Sequence, residues 1–160
     1  MTKLLILSDS HGMLNYMRDA VRRYRPQAVF HLGDHCADAD TLSREIGIPL
    51  ISVRGNCDYY ARERAEQWEC EFDGVRILAV HGHQYGVKMG LLRLRYAALE
   101  RDAQLVLFGH THQPCCQQEG DLWMVNPGAC GGYRPTCALI ETENGSLNCR
   151  IIDLYSEENV

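Results

Sequence analysis

Eight cysteines stand among 160 residues, yet no two are spaced as C-x-x-C. A structural zinc knuckle therefore has no support from spacing. No export signal precedes them, so a disulfide framework is not expected either. The expected state is reduced thiol, many of them acting as small buried apolar groups. Blocks of one charge are also missing. Sixteen Lys and Arg stand against 21 Asp and Glu, a net charge of −5. A dedicated nucleic-acid surface usually shows as a basic patch, so none is expected. Long apolar runs are absent. The opening run, Leu4 to Leu7, is too short for a signal-peptide core or a membrane span, and no later run is longer. A cytoplasmic protein with no membrane partner is the expectation. There is no internal repeat, low-complexity stretch or linker. One domain over residues 1–160, large enough for a real core, follows.

What is present is an alternation. "KLLILS" (3–8) is a continuous apolar run, as suits a strand buried on both faces. "MLNYMRDAVRRYR" (13–25) places Leu14, Met17, Val21 and Tyr24 at helical steps, and Pro26 closes it. "AVFHL" (28–32) reads as strand, "ADTLSREIG" (39–47) as helix and "LISV" (50–53) as strand. "WECEF" and "VRILAV" flank Asp73-Gly74 and predict a hairpin. Residues 89–102 read as an amphipathic helix and "LVLF" (105–108) as strand. Beyond them come four strand-like runs, "PCCQQE", "LWMVN", "CALIE" and "LNCRIIDLY", expected to form a meander. Alternating α/β followed by consecutive strands predicts an α/β protein of two packed sheets with helices outside.

The ends of the strands carry the chemistry. "LLILSD" stops at Asp9, "AVFHLGD" at Asp34, "LISVRGN" at Asn56, "RILAVH" at His81 and "LVLFGH" at His110. In α/β sheets, ligands bind beyond the carboxyl ends of strands. Gly33, Gly55 and Gly109 precede three of the five, where a missing Cβ permits close approach. His11 and His112 follow two residues after Asp9 and His110. In an extended segment, such pairs point the same way and can reach one centre. Singly, each is ordinary: an aspartate after a strand is often a helix cap, and Gly-Asp and Gly-Asn are common turns. Five coincident ligand types on one edge are not. Seven oxygen and imidazole groups exceed one tetrahedral zinc and suit two ions sharing a carboxylate. Mn, Fe, Co, Ni or Zn would all accept such a set.

"DSH" (9–11), "GD" (33–34), "GNCD" (55–58), "HGH" (81–83) and "GHTH" (109–112) resemble, in order and spacing, the motifs of the calcineurin-like metallophosphoesterases. "HGHQYGVK" (81–88) and "VNPGA" (125–129) look most like their small bacterial and archaeal phosphodiesterase branch. The resemblance implies a four-layer α/β/β/α sandwich and a dinuclear site, with Mn the first expectation. It implies that Asp9, His11 and His112 hold one ion, that Asn56, His81 and His110 hold the other, and that Asp34 bridges. Asp34, Asn56 and His81 would be the catalytic core. Many relatives carry histidine where this chain has Cys57. His35 and Ala129 also depart from the pattern.

Two such ions can hold a hydroxide for in-line attack on phosphorus while gripping a phosphoryl oxygen. A metal-dependent phosphodiesterase acting on a small phosphoester is thus expected; a homo-oligomer is left open. Cys57, His83 and Arg134 are candidates for substrate contact or for support of the ligands. His31 reads as a packed core residue. The Gly128–Gly132 stretch leads into a strand, which excludes a nucleotide fingerprint. The rival reading is a non-catalytic metal-binding scaffold for protein contacts, since a retromer subunit shares the fold with an incomplete ligand set. Here all seven positions are filled. A double-strand-break-repair nuclease would need DNA-binding segments that this chain does not provide.

Overall fold

The computed structural model describes residues 1–156. The last four residues of the expected 1–160 domain lie outside them. Ten strands and three helices follow in chain order: β1 (Thr2–Leu7), α1 (Leu14–Tyr24), β2 (Ala28–His31), α2 (Cys36–Ile46), β3 (Leu50–Ser52), β4 (Gln67–Phe72), β5 (Val75–Val80), α3 (Leu92–Glu100), β6 (Leu105–Leu107), β7 (Cys115–Glu119), β8 (Leu122–Asn126), β9 (Thr136–Glu143) and β10 (Ser146–Asp153). They form two five-stranded mixed sheets, ordered β10-β9-β1-β2-β3 and β4-β5-β6-β8-β7.

Alternation along the strands builds the layers. Leu4, Ile6 and Phe30 from the first sheet meet Ile77, Leu107 and Val125 from the second, forming the core between the sheets. Leu5, Leu7 and Val29 face the other way, onto Met17 and Ala20 of α1 and Leu42 of α2. Leu78, Val106 and Met124 pack outward onto Leu94 and Ala98 of α3. Both faces of each sheet are covered, giving the expected α/β/β/α sandwich. Each fully buried leucine or isoleucine contributes about 1.5–3 kcal/mol. Phe30 meets Phe72 edge to face across the sheets, with centroids 6.0 Å apart.

Several boundaries differ from expectation, each for a physical reason. The four C-terminal strands are not one meander. β7 and β8 pair in the second sheet, whereas β9 and β10 pair in the first, with β9 antiparallel to β1. The loop between β8 and β9 crosses from one sheet to the other, which local pattern cannot reveal. α2 starts at Cys36, not residue 39, because its N-terminus is capped from a distant segment, described below. α3 spans only Leu92–Glu100. Gly90 (φ 141°) and Asp102 (φ 52°) break the ends of the apolar pattern. The closures at Arg25, Gly47 and the Asp73-Gly74 turn fall where the sequence put them, all with positive φ.

The parallel triplet β1-β2-β3 and the parallel run β5-β6-β8 each release their carboxyl ends at one rim. That rim carries the candidate ligands.

Candidate metal centre

Two groups of three ligand atoms assemble there. Asp9, His11 and His112 offer atoms within 4.8 Å of one another, as do Asp34, His81 and His110. His112 Nε2 lies 3.0 Å from Asp9 Oδ1, and its ring packs edge-on against His11. Asn56 joins the second group through Oδ1, 2.9 Å from His81 Nε2. The two groups touch, since the His110 N–H donates to Asp9 Oδ2 at 3.3 Å.

Strand alternation does not bring the pairs 9/11 and 110/112 together. Asp9, His11, His110 and His112 are not extended; their φ values are 53°, 47°, 68° and 60°. Left-handed backbone, not strand alternation, turns these side chains inward. Single residues can hold it at a cost of about 1–3 kcal/mol when the surroundings over-determine them. Nor do His110 and His112 reach one centre. The turn sends His110 to Asp34 and His81, and His112 to Asp9 and His11. Asp34 shares the strain, at φ 58°.

The glycine expectation is met. A Cβ on Gly55 would overlap the Asp34 backbone N and Oδ1. One on Gly109 would overlap Ser8 Oγ and crowd Asp9 Oδ2. Both glycines let one ligand-bearing loop press against another.

The hydrogen bonds around His81 test whether the residues fit a cation. His81 is fully buried, and its Nδ1 lies 2.8 Å from the Leu32 carbonyl, which only accepts. The proton therefore sits on Nδ1 and leaves Nε2 as a bare lone pair. That lone pair faces Asn56 Oδ1 at 2.9 Å, His110 Nδ1 at 3.2 Å and Asp34 Oδ2 at 3.5 Å. Burial, helped by the nearby His81 and Lys88, pushes His110 down to about 4, so it is a neutral imidazole at neutral pH and brings no positive charge. A buried carboxylate, an amide oxygen and two neutral imidazoles converging on one point form a donor set that a cation satisfies. The fixed Nδ1–H is the usual support for a metal-binding imidazole.

The supporting residues were largely missed by sequence reasoning. Asp58, 1% exposed, accepts from the N–H groups of Asp34, His35, Cys36 and Gly55, each at 2.8 Å. Burial alone would raise its carboxyl, but these bonds hold it below the usual carboxylate range. It is the remote cap of α2, and it ties the Asp34 turn to the Asn56 loop. It stood in plain view as the last residue of "GNCD". Buried Asp38 accepts from Gly12 N and pairs with His35 Nδ1. Buried Asn126 donates from Nδ2 to Gly109 O and to Thr111 Oγ1, holding the His110–His112 turn. His31 is buried as expected but is not a plain core residue. The Gly33 N–H donates to its Nδ1, so its Nε2–H donates to Ser10 Oγ at 2.9 Å, and burial lowers it to about 4.

The three weaker candidates separate. Cys57 is exposed, and its N–H donates to Asp34 Oδ1 at 2.9 Å; desolvation, then the Asp34 charge, raises its thiol. The His83 ring lies 5.5 Å from His81 and 6.2 Å from His110, and desolvation lowers it. Its buried Nδ1 has no partner among the described residues. Arg134 is exposed and lies over the Tyr133 ring, 5.9 Å from its centroid.

A sandwich with acidic and imidazole ligands at the strand ends is the architecture of metal-dependent hydrolases of phosphate esters. The chain belongs to the calcineurin-like phosphoesterase superfamily, whose domain matches residues 2–145. It is 31% identical to a probable metallophosphoesterase of Bacillus subtilis, YsnB, over 97% of this chain and 93% of that one. A phosphodiesterase of Methanocaldococcus jannaschii is 26% identical over 88% and 93% of the two chains. Among solved structures, a predicted phosphoesterase of Streptococcus pneumoniae superposes with a TM-score of 0.84 at 28% identity, covering 99% and 92%. Vps29 of Chaetomium thermophilum, at 22% identity over 95% and 87%, shares the fold alone, with a TM-score of 0.81. The family implies divalent-metal binding, and the two ligand groups are the candidates for it.

Proposed function

We propose that this chain is a phosphodiesterase working with two divalent cations, manganese first, with Fe, Co, Ni and Zn as alternatives. Asp9, His11 and His112 would hold one ion; Asn56, His81 and His110 would hold the other; Asp34 would touch both. The observation that carries the reading is the convergence of Asp34, Asn56 and His110 on His81 Nε2. Relatives named as phosphodiesterases support the diester preference. The proposed substrate is a small cytoplasmic phosphodiester.

Two divalent cations, when bound, supply a hydroxide at neutral pH and positive charge against the phosphoryl oxygens. The chain's own residues do the rest. Asp34, at the centre of the rim, offsets the charge of the ions. Leu32 fixes the His81 ring so that Nε2 faces the site. Asp58 holds the Asp34 and Asn56 turns in register, which keeps the reacting groups aligned. Cys57 sits beside Asp34, where a stronger proton donor would serve the leaving group. A thiol raised above its usual value is a poor donor, so the reading favours esters whose leaving group departs as a stable anion.

The test uses metal-stripped protein on bis(p-nitrophenyl) phosphate and p-nitrophenyl phosphate. Hydrolysis of the diester should return with Mn²⁺ and saturate at two ions per chain by elemental analysis. Protein loaded with two ions yet inert on both esters would favour the scaffold reading. Saturation at one ion would remove the shared role of Asp34.

A further inference from the structure

We propose that Cys116 and Cys149 are joined as a disulfide when a peroxide or a low-molecular-weight disulfide reaches them, stapling the two sheets along one edge. The pair does not belong to the metal rim, and nothing in the phosphoesterase reading uses it.

The adjacent cysteines of β7 are not partners of each other. They alternate across the strand: Cys115 packs with the cluster under α3, and Cys116 with the core between the sheets. Cys149 of β10 packs on that same inter-sheet core. β7 and β10 are edge strands of different sheets, and their Cα atoms come within 8 Å of one another. Disulfides span Cα separations of roughly 4.4–6.8 Å, and the approach of the two strands brings side chains that face each other across it toward that range. A side-chain hydrogen bond links the two thiols. That bond favours the Cys116 thiolate and lifts Cys149 above the ordinary thiol value. The thiolate is the attacking species in this chemistry.

Access separates this pair from the other neighbouring thiols. Cys130 and Cys137 are fully buried, and desolvation drives both upward, Cys137 to about 12. Cys116 and Cys149 are only half-buried. An oxidant can reach one pair and not the other.

The chemistry balances. The Cys116 thiolate attacks peroxide; an S–O bond forms, the O–O bond breaks, and hydroxide leaves. The Cys149 thiolate then attacks the Cys116 sulfur; the S–S bond forms, the S–O bond breaks, and a second hydroxide leaves. Two thiols lose two electrons and two protons, and the peroxide becomes two waters. With a disulfide oxidant, the same electrons release two small thiols. The staple would pin β7, which begins three residues after His112, and so anchor the strand into which the His110–His112 turn runs.

The experiment uses the full chain carrying Cys57→Ser, which removes the exposed competing thiol. After treatment with hydrogen peroxide or oxidised glutathione, peptides are mapped by non-reducing mass spectrometry and free thiols are counted. The expected result is a single 116–149 cross-link and the loss of two thiols. Tm should rise by roughly 5–10 °C, reversed by dithiothreitol. Cys116→Ala and Cys149→Ala, checked for folding by circular dichroism, should each abolish the cross-link and the Tm rise. A cross-link elsewhere, sulfinic acid at Cys116 without cross-linking, or an unchanged thiol count would overturn the proposal. Because it is read by mass and Tm, its failure is independent of any failure of the phosphoesterase reading.

Discussion

The two ligand groups at the rim are built differently. In the Asp34–His81–His110 group, two of three residues are buried and the third is half-buried; in the Asp9–His11–His112 group, only Asp9 is buried. The first is held from behind by Leu32 O, Asp58 and the packed Gly33–Gly55 contact. The second has Ser8 and the His110 N–H on Asp9, but its two imidazoles stand in solvent. Preorganised ligands lose less freedom on binding, so the buried group should hold its ion more tightly. On the proposed function, the exposed group would then be the side where an ion exchanges and substrate enters.

The sharpest way to break this contrast is at the residue proposed to serve both groups. Asp34→Asn should lower activity by about 10³-fold, the rate equivalent of several kcal/mol of lost metal stabilisation. Its metal content should fall below that of Asn56→Ala, measured side by side. Equal or higher occupancy in Asp34→Asn would remove it from the bridging position.

Next is the scaffold behind the buried group. Asp58→Asn places an amide where a carboxylate accepted four N–H groups. It should cost about 3 kcal/mol in urea unfolding, since hydrogen bonds to charged groups contribute about 1.5–3 kcal/mol each and part is recovered by relaxation. A loss under 1 kcal/mol would mean that the α2 cap does not depend on this charge.

The exposed group can be probed without disturbing the fold. In titration of stripped protein by calorimetry, two steps are expected, with affinities separated by roughly tenfold or more. His11→Ala should abolish only the weaker step and leave one ion per chain. His110→Ala should abolish the tighter one. Identical affinities, or loss of both ions in His11→Ala, would contradict the comparison.

The smallest effect is a pH dependence from His31, behind the rim. Burial lowers its folded pKa to about 4 from the usual histidine value of about 6.5, so the folded state resists a proton that the unfolded chain accepts. Stability is full above about pH 6.5 and falls as pH drops toward about 4. Between pH 7 and pH 5 the loss should be ~2 kcal/mol. His31→Gln should lack that part of the slope; parallel slopes in both proteins would show that His31 does not supply it.

Much of this was legible in the chain. The continuous apolar runs of β1, β2 and β6 signalled strands covered on both faces. The ligand types at their ends signalled one rim, because strand direction alone places them. Pro26, Gly47 and Asp73-Gly74 punctuated the helices and the hairpin by backbone chemistry that acts locally. The split of the four C-terminal strands between two sheets was not legible, since both arrangements bury the same alternation. Nor was the cap on α2, because a carboxylate 22 residues from Cys36 does the work of an adjacent N-cap.

The sequence by itself determined which side chains could bind a metal and that they lie at strand ends, since composition and period are local properties. Only the tertiary structure decided how they divide. Left-handed turns at Asp9, His11, Asp34, His110 and His112 aim the side chains. Those turns persist because glycine contacts and buried Asp58 and Asn126 over-determine them from other segments. Which candidate ligand joins which group depends on contacts between residues far apart in the chain.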